Sequence, residues 1–371
     1  VGPHTQVTVE SSVLHGDGNL IQECEFYGLK KGMSFSGTPR RNVVRYNHIH
    51  HIGFHGISVN CPDANMILGN LIEYNCFEDC RSDGIQFVIP GDHPQSGTGT
   101  GQQGFVIQSN VFRECYENAI DLKASKWCVI QHNVIYGILG YGDSHEDEQY
   151  KPYWAYGSIT RGTGNSTQFV IIRHNTFFDT AQPTRFPDTA QSDFNNVGWK
   201  IINNTMISPN RGVDLGGTPR PDVSWPDGAK KDVIGTVCHR QKDNHAGDCV
   251  FVNNLCANAN TALVASNFCR DPGQYYDYNW YYDDKGEYVF ADDVNSDWRA
   301  LNFAQWKNRM AAQPAIKGQE QHSKTGDPEL ISQNLRPWWE RDTLSSDIMQ
   351  AADLLKFLDY RPGPGSPLID A

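Results

Sequence analysis

The feature that most constrains this chain is an apolar segment closing on an asparagine, which returns again and again along it. In 105–133, FVIQSNVFRECYENAIDLKASKWCVIQHN, one such segment ends at Asn110 and the next at Asn133, 23 residues later. VVRYN ends at Asn47, MILGN at Asn70, VIIRHN at Asn175, WKIINN at Asn204 and VFVNN at Asn254, while LIQEC puts Cys24 in the same slot. Self-similarity of this kind marks a solenoid, whose repeats bury their apolar faces only by stacking on one another. Cys24–Asn47 and Asn47–Asn70 are also 23-residue intervals, and the longer gaps of 40, 42, 29 and 50 read as one such unit plus an insertion. The units are rich in Val, Ile and Phe in short alternating runs, with Gly or Asn at the corners. That pattern predicts three short strands and three turns per coil rather than paired helices. Coils would stack at about 4.8 Å, and the asparagines would form a ladder at one corner, bonded to each other and to the turn backbone.

On these motifs the chain resembles the right-handed parallel β-helix superfamily, the pectate-lyase-like fold, over roughly residues 10–270. QHSKTGDPELI (321–331) and GSPLIDA (365–371) are similar to the closing segments of such proteins. The resemblance implies an all-β fold: a right-handed parallel β-helix over 1–270 with loop insertions on one edge, then the last coil and a C-terminal cap of the same domain over 271–371. NFAQWKNRMAA (302–312) and SDIMQAADLLKF (346–357) have helical patterning suited to covering the terminal coil. At the other end no cap is evident in 1–20, so the exposed strand edges there call for upstream residues or for a second copy stacking end to end. The fold hosts lyases, hydrolases, epimerases and non-enzymatic surface proteins, so it names no activity by itself.

Charge and cysteine usage narrow the partners. A net charge of −12 argues against nucleic acid or an anionic membrane. No run of about 18 apolar residues is present to span a bilayer. The ten cysteines include no CxxC pair, which argues against a zinc knuckle. Cys238 with Cys249 and Cys256 with Cys269 are the expected disulfides, the remainder being buried thiols. With sequons at Asn165 and Asn203 and a start, VGPHTQ, that reads as a mature or trimmed end, the expectation is an extracellular, secreted protein.

A second slot in the repeat carries the functional expectation. HGISV, DGIQF, NAIDLK, RGVDL and TALVA align so that Ile57, Ile85, Ile120, Val213 and Leu263 point inward. The next residues, Ser58, Gln86, Asp121, Asp214 and Val264, then point outward, with Thr160 of SITRG in the same column. Insertions at 88–104, 139–156 and 216–246 flank these strands, so they would wall a groove whose floor is this column. A groove several coils long suits an extended polysaccharide. Tyr150, Trp154 and Tyr156 lie in one of the walls, where flat rings can stack on sugar faces or pack the loop down.

For chemistry, YENAIDLK gathers Glu117, Asp121 and Lys123, with Arg161 one coil on. The succession IDLKAS then SITRG is similar to the Lys-then-Arg arrangement of the alginate and chondroitin lyase branch, although Tyr116 and Asn118 stand where that branch has paired glutamates. The resemblance implies β-elimination on a uronate polymer, with Lys123 as base, Arg161 as acid or carboxylate partner, and Asp121 and Glu117 orienting them or holding calcium. Gln86, Asp83 and Asp214 would bind substrate. A glycoside hydrolase would instead need two carboxylates roughly 5–9 Å apart. Asp121 and Asp214, three coils or about 14 Å apart, are too distant, while Asp83 with Asp121 serves only if the corner turns Asp83 into the groove. A non-catalytic fibre or adhesin is the alternative from another class. NHIHHIGFHG carries His48, His50, His51 and His55 without a carboxylate or cysteine to complete a metal set, and is expected to be a stacked or exposed strand face.

Overall fold

A computed structural model describes residues 12–61, 67–87, 102–123, 125–138, 159–161, 167–178, 180, 183–186, 198–207, 235–239, 249–257, 262–266, 274–283, 286, 288, 290–294, 297–312, 319–330 and 363–367. Among these, short strands pair in parallel with the strand one coil further on in three large sheets of 11, 9 and 10 strands, and Gln102–Gln103 with Ser125–Lys126 form a small two-stranded sheet. The chain visits the sheets in rotation. Leu20–Gln22 lies in the second sheet, Glu25–Tyr27 in the third, Met33–Ser36 in the first, and Val43–Arg45 begins the next round. Such a winding is a parallel β-helix, as the repeat implied.

Alternation along each strand sends one column of side chains inward. In the second sheet Ile72, Ile107, Ile130, Ile172 and Ile201 stack in register. In the third, Phe77 lies over Phe112 with ring centroids 4.7 Å apart and planes 4° from parallel. Like residues fit over like at the strand spacing, and the result is one continuous apolar core.

The corner from the second to the third sheet is built from a left-handed residue followed by asparagine. Tyr46, Tyr74, Ser109, His132, His174, Asn203, Asn253 and Tyr278 all have φ between 53° and 57°, a conformation that costs a non-glycine residue roughly 1–2 kcal/mol. The next asparagine offsets this. The backbone N–H and Nδ2 of Asn110 both donate to Oδ1 of Asn133, at 2.9 and 3.1 Å, and Asn133 does the same to Asn175 at 3.0 Å each. Nδ2 of Asn133 also donates to the Ile107 carbonyl. The ladder runs on through Asn204, Asn254 and Asn279.

Four expectations need correction. Asn70 is not in this ladder: Asn75 holds its place, between Asn47 and Asn110. Asn70 belongs with Asn19 and Asn42 at the opposite end of the same strands. Because Asn42 and Asn47, like Asn70 and Asn75, bracket one strand, the interval Asn47–Asn70 ran from one corner to the other. In the first sheet, residues 211–215 lie outside the described residues, and the place expected for Val213 and Asp214 is held by Val237 and Cys238 of Gly235–His239. In TALVA the register partner of Val237 is Val264 rather than Leu263, a slip of one residue. Finally, Cys256 is a free, buried thiol stacked between Met206 and Tyr281, not a partner of Cys269.

Cys61, Cys76, Cys80, Cys115 and Cys128 are likewise free and buried. Burial pushes the thiols of Cys61, Cys76 and Cys128 up to about 12, so they are unreactive packing groups at neutral pH. The pair Cys238–Cys249 falls on side chains outside the described residues. At the C-terminal end an antiparallel pair, Phe290–Val294 with Asp297–Leu301, closes the first sheet. The helix Phe303–Ala311 follows, started by a reciprocal cap between Asn302 and Gln305. Its Trp306 stacks on Phe290 at 5.4 Å and seals the core. The second expected helix, 346–357, lies outside the described residues, and no described helix is long and apolar enough to cross a membrane.

Candidate active site

The corner from the third to the first sheet repeats a three-residue step. Phe54-His55-Gly56, Ser82-Asp83-Gly84 and Glu117-Asn118-Ala119 lie one above another, joined by backbone bonds from Ser82 to Phe54, Glu117 to Ser82, Gly56 to Asp83 and Gly84 to Asn118. The third position must be small. A Cβ on Gly56 would stand 2.6 Å from the Gly84 carbonyl oxygen, and one on Gly84 would stand 2.8 Å from that of Ala119 and 2.7 Å from the Phe112 ring. This tight stacking presses His55, Asp83 and Asn118 together in one column and Ser82 and Glu117 in the next.

The contacts converge on two carboxyls. Asn118 Nδ2 donates to Asp83 Oδ1 at 2.7 Å, Gln86 Nε2 donates to Asp83 Oδ2 at 3.0 Å, and His55 Nδ1 lies 3.3 Å from that same oxygen. The Ser82 hydroxyl donates to Glu117 Oε2 at 2.7 Å and is 3.4 Å from Asp83 Oδ2. Sharing one hydroxyl places the nearest oxygens of Asp83 and Glu117 within about 6 Å of each other. Asp83 is fully buried and Glu117 is 7% exposed. Burial, with the charges of Asp83 and then Asp121 added, pushes the Glu117 carboxyl up to about 9 against the opposing pull of Ser82 and Lys123. Glu117 is therefore a protonated acid at neutral pH. The Asn118 amide is oriented by its bond to Asp83, and its buried Oδ1 accepts no hydrogen bond among the described residues.

Next to this pair, Lys123 Nζ sits 2.8 Å from Asp121 Oδ2. Burial works against the ammonium, but the charges of Asp121 and Asp83 outweigh it and hold Lys123 above its ordinary range. Such a lysine stays charged. Of the two residues expected to hold calcium, Asp121 is paired with the Lys123 ammonium and Glu117 accepts from the Ser82 hydroxyl.

The expected outward column is real in its first part, with Ser58, Gln86, Asp121 and Thr160 in register. It is recessed rather than open: Ser58 and Asp121 are buried, Gln86 is half-buried, and Lys123 shows about a quarter of its side chain to solvent. Arg161 is in register with Leu122, one position short of Lys123, and its side chain lies outside the described residues. Tyr150, Trp154, Tyr156, Asp214 and most of the three insertions lie outside them too. Asp83, Gln86, Glu117, Asp121 and Lys123 come together. Ser82, Asn118 and His55 were missed as partners, although the alignment of HGISV, DGIQF and NAIDLK already set His55, Asp83 and Asn118 at one position.

The family comparison agrees with this architecture over the first part of the chain. The model of the family described as "Right handed beta helix region" matches residues 7–150. None of the curated proteins matches the chain. Among solved structures, one titled "The complex structure of XylC with xylose" aligns at a TM-score of 0.37 and 11% identity, covering 72% of this chain and 41% of that one. The chain thus spans less than half the length of that protein. Three parallel sheets wound in rotation around one core give the chain an all-β parallel β-helix fold, and residues 7–150 are similar to the right-handed β-helix family.

Proposed function

We propose that the protein cleaves an extended polysaccharide by glycosidic hydrolysis, with Glu117 as general acid and Asp83 as the partner carboxylate. The observation that carries this is the pair of carboxyls gathered around the Ser82 hydroxyl, and burial raises one of them, Glu117, so that it keeps its proton. Glycosidases need one carboxyl that gives a proton to the leaving oxygen and a second that is ionised, and enzymes that retain anomeric configuration set the two about 5–5.5 Å apart. The bound of about 6 Å on the nearest oxygens of Asp83 and Glu117 agrees with that spacing. In this scheme the Glu117 proton passes to the glycosidic oxygen as its bond to the anomeric carbon breaks. An Asp83 oxygen bonds to that carbon; Glu117, now ionised, then takes a proton from a water whose oxygen attacks the carbon, so that the bond to Asp83 breaks, the sugar leaves and Glu117 is protonated again. Gln86, which covers Asp83 Oδ2, gives way to the incoming ring, and the bare Asn118 Oδ1 offers an acceptor to a sugar hydroxyl. The polymer lies along the first sheet, where Ser34, Ser58 and Gln86 form a polar strip rising by about 4.8 Å per coil.

Elimination with Lys123 as base is the weaker reading, because its ammonium is held charged by Asp121. A charged, partly exposed lysine is instead suited to receiving a uronate carboxylate, so acidic polymers belong in the substrate panel. The test is incubation with neutral and uronate polysaccharides, following reducing ends and the ultraviolet absorbance of unsaturated products, with and without EDTA. Reducing ends without that absorbance, insensitive to EDTA, are expected. Unsaturated products would establish elimination, and no cleavage of any polymer by the wild-type chain would favour the fibre or adhesin alternative. With a polymer as substrate, we propose that the protein works outside the cell.

A further inference from the structure

The third sheet carries a second group of chemically capable side chains, on the outer face of its early coils. Glu25–Tyr27, His48–Ile52 and Cys76–Cys80 pair so that Glu25, His48 and Cys76 form one outward column and Tyr27, His50 and Glu78 the next. The histidine-rich segment holds no carboxylate of its own, so the sequence offered it no ligand set. Stacking of coils supplies one from above and one from below. His50 Nε2 is 2.9 Å from Glu25 Oε1 and His48 Nε2 is 3.0 Å from Glu78 Oε2. The two imidazoles stack with centroids 3.8 Å apart and planes 12° from parallel.

We propose that Glu25, His48 and His50 form a binding site for a divalent transition metal ion of the Zn²⁺ type. One ligand atom from each of the three lies within 4.8 Å of the others, so a small movement of side chains brings them around a single ion. Two imidazole nitrogens and one carboxylate are a ligand set that such ions accept, with a further position for water, and that hard, oxygen-seeking Ca²⁺ does not favour.

The surroundings favour Glu25 over the alternative trio of His48, Cys76 and Glu78. Glu78 is already bound by Arg113 Nη2, and Cys76 is fully buried, packed with Val111. Glu25, by contrast, is largely exposed and opens the site to solvent. Behind the ligands, His50 Nδ1 is 2.8 Å from His51 Nδ1, and His51 Nε2 is 3.7 Å from Asp79 Oδ2. With Nε2 of His50 on the ion, its Nδ1–H donates to His51, whose own Nε2–H faces Asp79. That outer chain fixes tautomer and ring orientation, as at known metal-bound histidines. The site lies on a different sheet from the carboxyl pair and does not depend on glycan cleavage.

The test is calorimetric titration of the chelator-stripped full chain with Zn²⁺, with Co²⁺ absorption spectra to report the donor set. We expect one ion per chain, binding at least tenfold weaker in Glu25→Gln and in His48→Ala/His50→Ala, and unchanged in His132→Ala, which alters an exposed histidine of another stack. Glu25→Gln changes a largely exposed carboxylate and guards against a folding artefact in the double variant. No binding by the wild-type chain, or binding undiminished in both variants, would overturn the proposal.

Discussion

Two corners of the same coil handle buried polar groups in opposite ways. At the corner between the second and third sheets the described coils from Asn47 to Asn279 place asparagine, between Cys24 before them and Ser323 after, and each amide satisfies its neighbours in the same pattern. At the corner between the third and first sheets successive coils place His55, Asp83 and Asn118, with Ser82 and Glu117 beside them. Uniform repetition leaves the first corner neutral and fully bonded, which is what a structural seam requires. The second gathers unlike titratable groups where burial and mutual charge shift them, an expensive arrangement for a scaffold and a useful one for catalysis.

If the contrast holds, substitutions at the two corners separate stability from activity. The largest effect is expected at Glu117. Glu117→Gln keeps the shape and the Ser82 contact but removes the proton, so kcat/KM falls by about 100- to 10,000-fold, the usual contribution of a general acid. The same variant changes stability against pH. Glu117 is raised from 4.5 to about 9 on folding, so between those values the native chain binds a proton that the unfolded chain lacks, and wild-type stability falls as pH rises. The variant lacks this slope, and melting curves from pH 5 to 9 should show it gaining on the wild type throughout. Gly84→Ala is next: its Cβ would meet the Ala119 carbonyl oxygen and the Phe112 ring, destabilising by ~1–3 kcal/mol in denaturant titration and displacing Asp83, so activity falls as well.

At the other corner, Asn133→Ala strips Asn110 of its acceptor and the Ile107 carbonyl of a donor. We expect a loss of about 1–3 kcal/mol, read from the same titration, with kcat/KM at 25 °C unchanged. Comparable activity losses at both corners would erase the distinction. The smallest effect is expected for Lys123→Gln, under about tenfold in kcat/KM on neutral polymers, against roughly 100-fold or more if Lys123 were the base.

The fold was legible because its physics repeats. Val, Ile and Phe at alternate positions and asparagine after a left-handed residue recur often enough to be counted, and those counts gave strands, corners and core. Errors arose where repetition was ambiguous. Asn70 and Asn75 sit at the two ends of one strand, and either satisfies a five-residue motif. Leu263 and Val264 are both apolar and both buried, so alternation could not set the register. The site was half legible. Asp83, Glu117, Asp121 and Lys123 stood out as charges beside an apolar strand, but roles depend on which coil lies over which. Stacking, invisible along the chain, put Ser82 between two carboxyls. The same blindness hid Glu25 and Glu78 from the histidines that they flank.

The most direct test of the central claim is infrared difference spectroscopy of wild type against Glu117→Gln across a pH titration. The account predicts a protonated-carboxyl carbonyl band at pH 7 that disappears near pH 9 and is missing from the variant. A Glu117 that titrates near 4.5, leaving no such band at neutral pH, would contradict it.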